Sequence, residues 1–499
     1  MTRVTKLTIL VVVTVALAIG SLVVASTGVR DQESAYGTQQ PDVDDLTLDL
    51  EVQAAYDDDD IHWRFTWPTE DPSFFHDYFV YEDGEWERYS GESDGSGLHL
   101  NEDRLTFLLD DGSVDGFEEY GGFMTVHSFT REMSPEDYEG EEVEEVFGEG
   151  TDDLRKMVPG SMDDPTDWRT RLDDDELAEL AEAGYFLDLW HWRSHRSNPI
   201  GFSDAQHVLD HRLSDSGDGP YETNWDDDLD QPLFMFDPEV TGQHAMDWDR
   251  LQDLGYTQDD WYYLAEDVNV VAYDPDHDWQ EGDVLPRRVL TEPTESRGQI
   301  FAQGVVDDGE WNLELTRALD TGYPTEDKIL EEHGLYAAAF AVHANATANR
   351  WHYTGMPISV GLGRGDADLT AERVDGEPDW DEIESVSVEL FYPGVIGWDH
   401  LTDRAEHAGA GAVQGGAPFS AAHDEESMAF YALESEYRDE IITQWWLTGL
   451  VWILFVIAAS LAFVRLARGR LEPAGAGDGD PPGGGRGDDG EGDDAKKEA

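Results

Sequence analysis

Cysteine is absent from all 499 residues of the chain. Its absence excludes disulfides, thiolate-ligated zinc, iron–sulfur clusters, thiol catalysis and covalently attached c-type haem, so any cofactor must be held by His, Met, Lys or carboxylates. Positive charge is scarce too: 31 Lys plus Arg stand against 111 Asp plus Glu, a formal charge of -80. Between positions 27 and 444 the only lysines are Lys156 and Lys328. A surface this anionic is repelled by phosphate backbones and anionic headgroups, which excludes nucleic-acid binding.

What is present argues for a packed fold. Charge of this size ordinarily marks disorder, yet the chain carries 17 Trp, 19 Tyr and 20 Phe, aromatic mass that a packed core uses. The acids are spread in Asp-rich runs and Arg outnumbers Lys, as expected of a halophilic protein adapted to molar salt, where a Debye length of about 3 Å screens self-repulsion.

Two apolar runs are long enough to span a bilayer. Residues 7–26 (LTILVVVTVALAIGSLVVAS) carry no charge and follow Arg3 and Lys6; at 1.5 Å per residue they cover about 30 Å of hydrocarbon. Residues 445–464 (WWLTGLVWILFVIAASLAFV) begin with Trp and are followed by Arg465, Arg468 and Arg470. The positive-inside rule then puts both termini in the cytoplasm, if the first run is an uncleaved anchor, and the middle on the outer face of the cell membrane. The expected organisation is an anchor or signal (1–26), a polar stalk (27–44), a core domain (45–365), a membrane-proximal segment (366–444), a transmembrane helix (445–464) and a disordered acidic tail (465–499). Neither apolar run holds a His or an ionisable residue, so each reads as a plain anchor.

Short β-rich runs recur at 60–67, 103–109, 186–192, 309–316, 336–342, 358–362 and 386–391, separated by Gly, Asp and Pro turns. The pattern predicts a mainly β fold, an antiparallel β-sandwich with a few helices, flanked by the two transmembrane helices. A helix is expected over 173–183 (DDDELAELAEA), with acids in its first turn, and another in 247–266.

Four stretches could carry chemistry. GGFMTVHSFTREM (121–133) follows a predicted strand and a Gly-rich turn and puts Met124 and His127 three residues apart; Met and His are common axial ligands of haem iron. DLWHWRSHRSNPIGFSDAQHVLDHR (188–212) packs two Trp, four His and three Arg together. Its indoles, Trp190 and Trp192, could wall a flat apolar macrocycle, and Arg193 or Arg196 could pair with carboxylates. YAAAFAVHANATANRWHYTGMPISVGLG (336–363) places His343 and His352 at opposite ends of a hairpin-like connection, with Arg350 and Tyr353 beside His352 and a glycosylation sequon at Asn345. GGAPFSAAHDEESM (415–428) shares a frame with the first: Phe123 to His127 and Phe419 to His423 both read F-x-x-small-H. Phe123, Val126, Phe419 and Ala422 stand where the cysteines of a C-x-x-C-H attachment motif would, so His423 is a further iron-ligand candidate.

Several motifs together resemble the haem-binding family of the ethylbenzene dehydrogenase gamma subunit, also described as the dimethyl sulfoxide reductase-like haem-binding domain. They are DLWHWRSHRSNPIGF (188–202), WQEGDVLPRRVL (279–290), SRGQIFAQGVVDDGEWNLELTRALDTG (296–322) and RWHYTGMPISVGLG (350–363). The resemblance covers roughly residues 45 to 365 and implies a β-sandwich holding one non-covalent haem b (heme b) in a side cleft. It implies an electron-transfer subunit that does no bond chemistry itself, working with a molybdopterin catalytic subunit and an iron–sulfur subunit or a membrane cytochrome b. Family members are thought to ligate iron with a Met and a Lys. Met124 fits the first; lysine is so scarce that His352 or His127 would replace the second. Trp190 and Trp192 would wall the haem, with Arg193, Arg196, Arg350 and Tyr353 around it. A haem-free β-sandwich surface binding or assembly protein derived from that family is the alternative.

Overall fold

The computed structural model describes residues 47–391 apart from 71, 90–99, 126–140, 149–150, 152–155, 166, 254 and 345–352, together with positions 446, 449, 452, 459 and 462. The chain divides into two compact units, Met1–Val29 with Ile442–Ala499, and Arg30–Ile441. In the first, the described positions Trp446, Gly449, Trp452, Ala459 and Ala462 are helical. Among the described residues no helix is long and apolar enough to cross a membrane; the run at 7–26, and most of the run at 445–464, lie outside them.

The second unit is mainly β and is built on one 13-stranded sheet. Its strands are β1 (Thr47–Tyr56), β2 (Asp60–Pro68), β3 (Arg104–Asp110), β4 (Leu187–Arg193), β5 (Asp204–Val208), β6 (Arg212–Ser214), β7 (Phe301–Asp307), β8 (Glu310–Ala318), β9 (Leu335–His343), β10 (Tyr353–Thr354), β11 (Ile358–Leu362), β12 (Leu369–Arg373) and β13 (Val386–Phe391). They run in the order β7-β8-β2-β1-β12-β11-β9-β3-β4-β5-β6, with β10 and β13 bridging β9 to β1. Every predicted strand is present. Alternation sets the faces: in β2, Ile61, Trp63, Phe65 and Trp67 are buried while His62, Arg64 and Thr66 are half-buried.

Rings of β2 meet rings of β3 and β9, Phe65 with Phe107 at 5.6 Å and Trp63 with Phe340 at 6.4 Å. These strands are far apart in the sheet order, so the sheet doubles back into two layers around an aromatic core. Pairing is antiparallel except at β12, which is parallel to both β1 and β11 where one layer passes into the other. β12 and β13 take the sheet beyond residue 365.

Among the described residues of this unit the five helices are short. α1 (Phe117–Tyr120), α2 (Glu141–Phe147) and α3 (Asp174–Glu182) are joined by single turns at Pro238–Thr241 and Trp248–Gln252. α3 is the helix expected over 173–183, begun by a reciprocal capping box between Asp173 and Glu176. The helix expected in 247–266 is only Trp248–Gln252; the Gly255 amide closes back on the Arg250 carbonyl, and Asp and Thr turns follow. Met124 lies in a 3-10 turn (Gly121–Thr125) directly after α1, so a helix separates it from β3.

Candidate functional site

The stretch 187–193 is a strand between β3 and β5, and its alternation sends its side chains two ways. Asp188, Trp190 and Trp192 point into the core. Trp190 packs on Phe107 at 4.9 Å, with the Arg317 guanidinium 4.4 Å over its ring. Trp192 meets Trp67 and Trp311, and its indole nitrogen donates to Asn198 at 3.0 Å. Gly304 has no room for a side chain because the Trp192 ring fills the space where a Cβ would sit. Both indoles belong to the closed core.

Arg317, at an inward position of β8, joins two of the motifs that carry the family resemblance. It is fully buried and pairs with Asp188 at 2.8 Å and Asp327 at 3.0 Å. The Asp of D-L-W-H-W-R and the Arg of W-x-L-E-L-x-R are therefore one buried ion pair.

Leu187, Leu189, His191 and Arg193 occupy the opposite face of β4. Leu187 and Leu189 join Leu108, Val208, Ala337 and Ala339 in a second apolar cluster, which includes residues of α1 and α3 and the fully buried Met124. Two residues further along each strand, about 7 Å on, the same face turns polar: Thr106 on β3, His191 on β4 and Gln206 on β5. Arg104, Arg193 and Asp204 come with it. His191 is 5 % exposed; its Nδ1 lies 3.2 Å from Gln206 Oε1 and 2.9 Å from an Arg193 terminal nitrogen, and its Nε2 is buried without a hydrogen-bond partner.

The polar end is unusually basic for this chain. Arg193, Arg196 and Arg288 lie 5.7, 5.0 and 5.5 Å from the ring centre of Tyr221. Glu102, fully buried, accepts from Arg196 Nε at 2.6 Å and from the His195 and Arg196 backbone amides, and lies 3.4 Å from Arg104. Asp204 holds Arg193 and Arg297. The Nε atoms of Arg104, Arg193 and Arg288 are buried without a hydrogen bond.

Titration shifts report the resulting potential. The Arg196 guanidinium, with help from Arg193 and Arg288, brings Tyr221 down to about 8 although burial opposes it. Burial, then the charges of Arg193, Arg212 and Arg104, push His191 well below the usual imidazole range; burial, then Arg196 and Arg104, do the same to His76. A cationic surface of this kind binds carboxylates. In a spectrophotometric titration the protein is expected to show a tyrosine ionising near pH 8, and Tyr221→Phe should remove that step; a wild type with no tyrosine ionising below pH 9 would contradict the charge arrangement.

Of the residues singled out from the sequence, Arg193 and Arg196 converge on Tyr221, and Met124, in its 3-10 turn, belongs to the apolar cluster with Leu187 and Leu189. Tyr353 is half-buried on β10 opposite Val342. His127, Arg350, His352 and His423 lie outside the described residues. Lys328 is buried and its ammonium is taken up by Asp111, Ser113 and the Gly184 carbonyl at 2.7 to 2.8 Å. Sequence reasoning missed His191, Arg104, Glu102, Tyr221 and Arg288. The alternation within D-L-W-H-W-R already separates His191 and Arg193 from the tryptophans, a signal for the first; Tyr221 and Arg288 come from two short paired strands with no local signal.

Among the described residues no group of three or more His, Asp or Glu converges on a metal position; haem iron asks only for two axial ligands. The residues present fit a haem: an apolar cluster with a buried thioether beside a cationic edge suited to two carboxylates, and a buried imidazole nitrogen left unpartnered. No curated protein matches the chain. The profile of a family described as ethylbenzene dehydrogenase matches residues 24–355, about two thirds of the sequence and all of the elements that build this face, and the chain belongs to that family.

Proposed function

We propose that the chain is a haem b electron-transfer subunit of a molybdopterin oxidoreductase system, tethered to the outer face of a membrane and doing no bond chemistry itself. The observation that carries this reading is the amphipathic face of β3, β4 and β5. Its apolar half suits a macrocycle and its arginine half suits propionates, and the chain belongs to a family of molybdoenzyme subunits. Bound there, haem supplies a one-electron ferric/ferrous couple. Met124, buried in the apolar cluster, would be one ligand and a histidine the other; His127, His352 and His423 are sequence candidates for it. Arg104, Arg193 and Arg288 hold the propionates. Arg196, paired with Glu102 through Nε and donating to the Tyr221 hydroxyl, orders the loop behind them, and Trp190 and Trp192 fix the strand from the core side. The partners are a molybdopterin catalytic subunit and an iron–sulfur subunit or a membrane cytochrome b, and the acidic surface keeps the domain soluble in brine.

Spectroelectrochemistry of the haem-loaded full chain in molar salt tests the electron-transfer role. A single reversible one-electron couple is expected. A protein that stays colourless with hemin would overturn the reading in favour of a haem-free surface binding protein.

A further inference from the structure

We propose that the basic end of this face is a recognition site for a carboxylate or an oxyanion, with His191 as one of its hydrogen-bond donors through Nε2; on the haem reading, on which the identity of the occupant rests, that group is a propionate. Proton placement makes His191 a donor. A terminal nitrogen of Arg193 lies 2.9 Å from His191 Nδ1 and can only donate, so Nδ1 accepts. The opposite arrangement, an Nδ1–H directed at Gln206 Oε1 at 3.2 Å, would set that proton against the guanidinium N–H. Burial and the charges of Arg193, Arg212 and Arg104 keep the ring neutral, so its single proton sits on Nε2, which is buried and has no acceptor.

The same shortage of acceptors recurs around it. The Nε atoms of Arg104, Arg193 and Arg288 are buried without a hydrogen bond, that of Arg104 standing 3.4 Å from Glu102, and an Arg Nε can only donate. Arg104 on β3 stands directly opposite Arg193 on β4, with His191 two residues along on the same face. Like charges opposite one another across a strand pair repel. Carboxylates do not cover the excess: Glu102 is shared by Arg196 and Arg104, Asp204 by Arg193 and Arg297, and Asp77 by Arg88 and Arg287. Arg288, set against the Tyr221 ring, has no carboxylate of its own among the described residues. In a chain with 111 Asp plus Glu against 31 Lys plus Arg, buried cations that outnumber their carboxylates call for an acceptor that the chain itself does not supply. A carboxylate or a phosphate has that chemistry, being negative, rich in lone pairs and matched to the guanidinium fork.

The test uses the full chain in molar salt, titrated with hemin and with hemin dimethyl ester, in which both carboxylates are masked. The wild type is expected to bind hemin about tenfold or more tighter than the ester, the worth of a hydrogen bond to a charged group. His191→Ala should lose on the order of tenfold for hemin and nothing for the ester, a split that a merely structural role would not give. Before hemin is added, inorganic phosphate at constant ionic strength should move the Tyr221 ionisation to higher pH and saturate, because an anion beside the arginines disfavours the phenolate. Equal affinity of the wild type for hemin and ester overturns the propionate as occupant, and equal losses for both ligands in His191→Ala overturn the role of His191. If His191→Ala fails to fold by circular dichroism, His191→Phe, which fills the space without a donor to spare, takes its place under the same criterion. A Tyr221 step that phosphate does not move overturns the anion site. A wild type that takes up no hemin overturns the haem reading instead, and the phosphate titration then judges the anion site by itself.

Discussion

Arg317→Ala is expected to destabilise the β domain by about 3–5 kcal/mol, the cost of stranding buried charge when one partner of an ion pair is removed. Arg317 is fully buried, and no other cation hydrogen-bonds Asp188 or Asp327 among the described side-chain contacts, so both carboxylates lose their counter-ion together. Trp190 loses the guanidinium that covers its ring, and the Lys328 carbonyl loses a donor. Burial already raises Asp188 to about 6, with Asp327 adding to it and Arg317 opposing it. A carboxyl with a raised folded pKa favours the fold when protonated, a contribution present below its ordinary value of about 4 and lost as pH rises through 6. The penalty of Arg317→Ala should therefore shrink as pH falls below about 6. Urea denaturation in molar salt at two pH values reads both effects; a midpoint equal to the wild type at neutral pH would contradict the ion-pair assignment.

Glu102→Gln should have a comparable cost, one that fades at a lower pH than that of Arg317→Ala. Burial alone would raise the Glu102 carboxyl, but Arg196, then Arg104, hold it at about 2, against an ordinary value of 4.5. A depressed carboxylate stabilises the fold above its unfolded pKa, and that contribution, about 3 kcal/mol, is lost as pH falls from about 4.5 through 2. The amide keeps the shape but leaves Arg196 and Arg104 facing no charge, and two backbone amides share one carbonyl oxygen where a carboxylate stood. The 194–197 loop that ends β4 should loosen, and with it the aim of Arg193. Acid unfolding followed by tryptophan fluorescence is expected to lose part of its steepness between pH 4.5 and 2 in the variant; an unchanged acid transition would show that Glu102 does not carry this load.

The strands were legible in the sequence because their apolar residues repeat every second position between Gly and Asp turns, as in IHWRFTW of β2. α3 was legible because Asp173 and Glu176 cap it. Alternation also pairs Trp190 with Trp192 and His191 with Arg193, but it does not say which pair faces the core, and the tryptophans were read as walls of a cleft. Nothing in WNLELTR marks Arg317 as buried; its burial depends on Asp188 and Asp327, which lie outside that segment. The basic edge was half visible. Arg193 and Arg196 stand out in an acidic chain, whereas Arg104, Tyr221 and Arg288 join them only through strand pairing that no local pattern announces. The motif resemblance pointed to the right family, and its residues are in good part the buried framework of the domain.

The most direct test of the account is the haem content of the full chain isolated in molar salt, measured by the pyridine haemochrome and by extraction into acidified acetone. One haem b per chain, fully extractable because no cysteine attaches it, is the expected result. A protein without haem that shows no Soret band on addition of hemin would contradict the central claim.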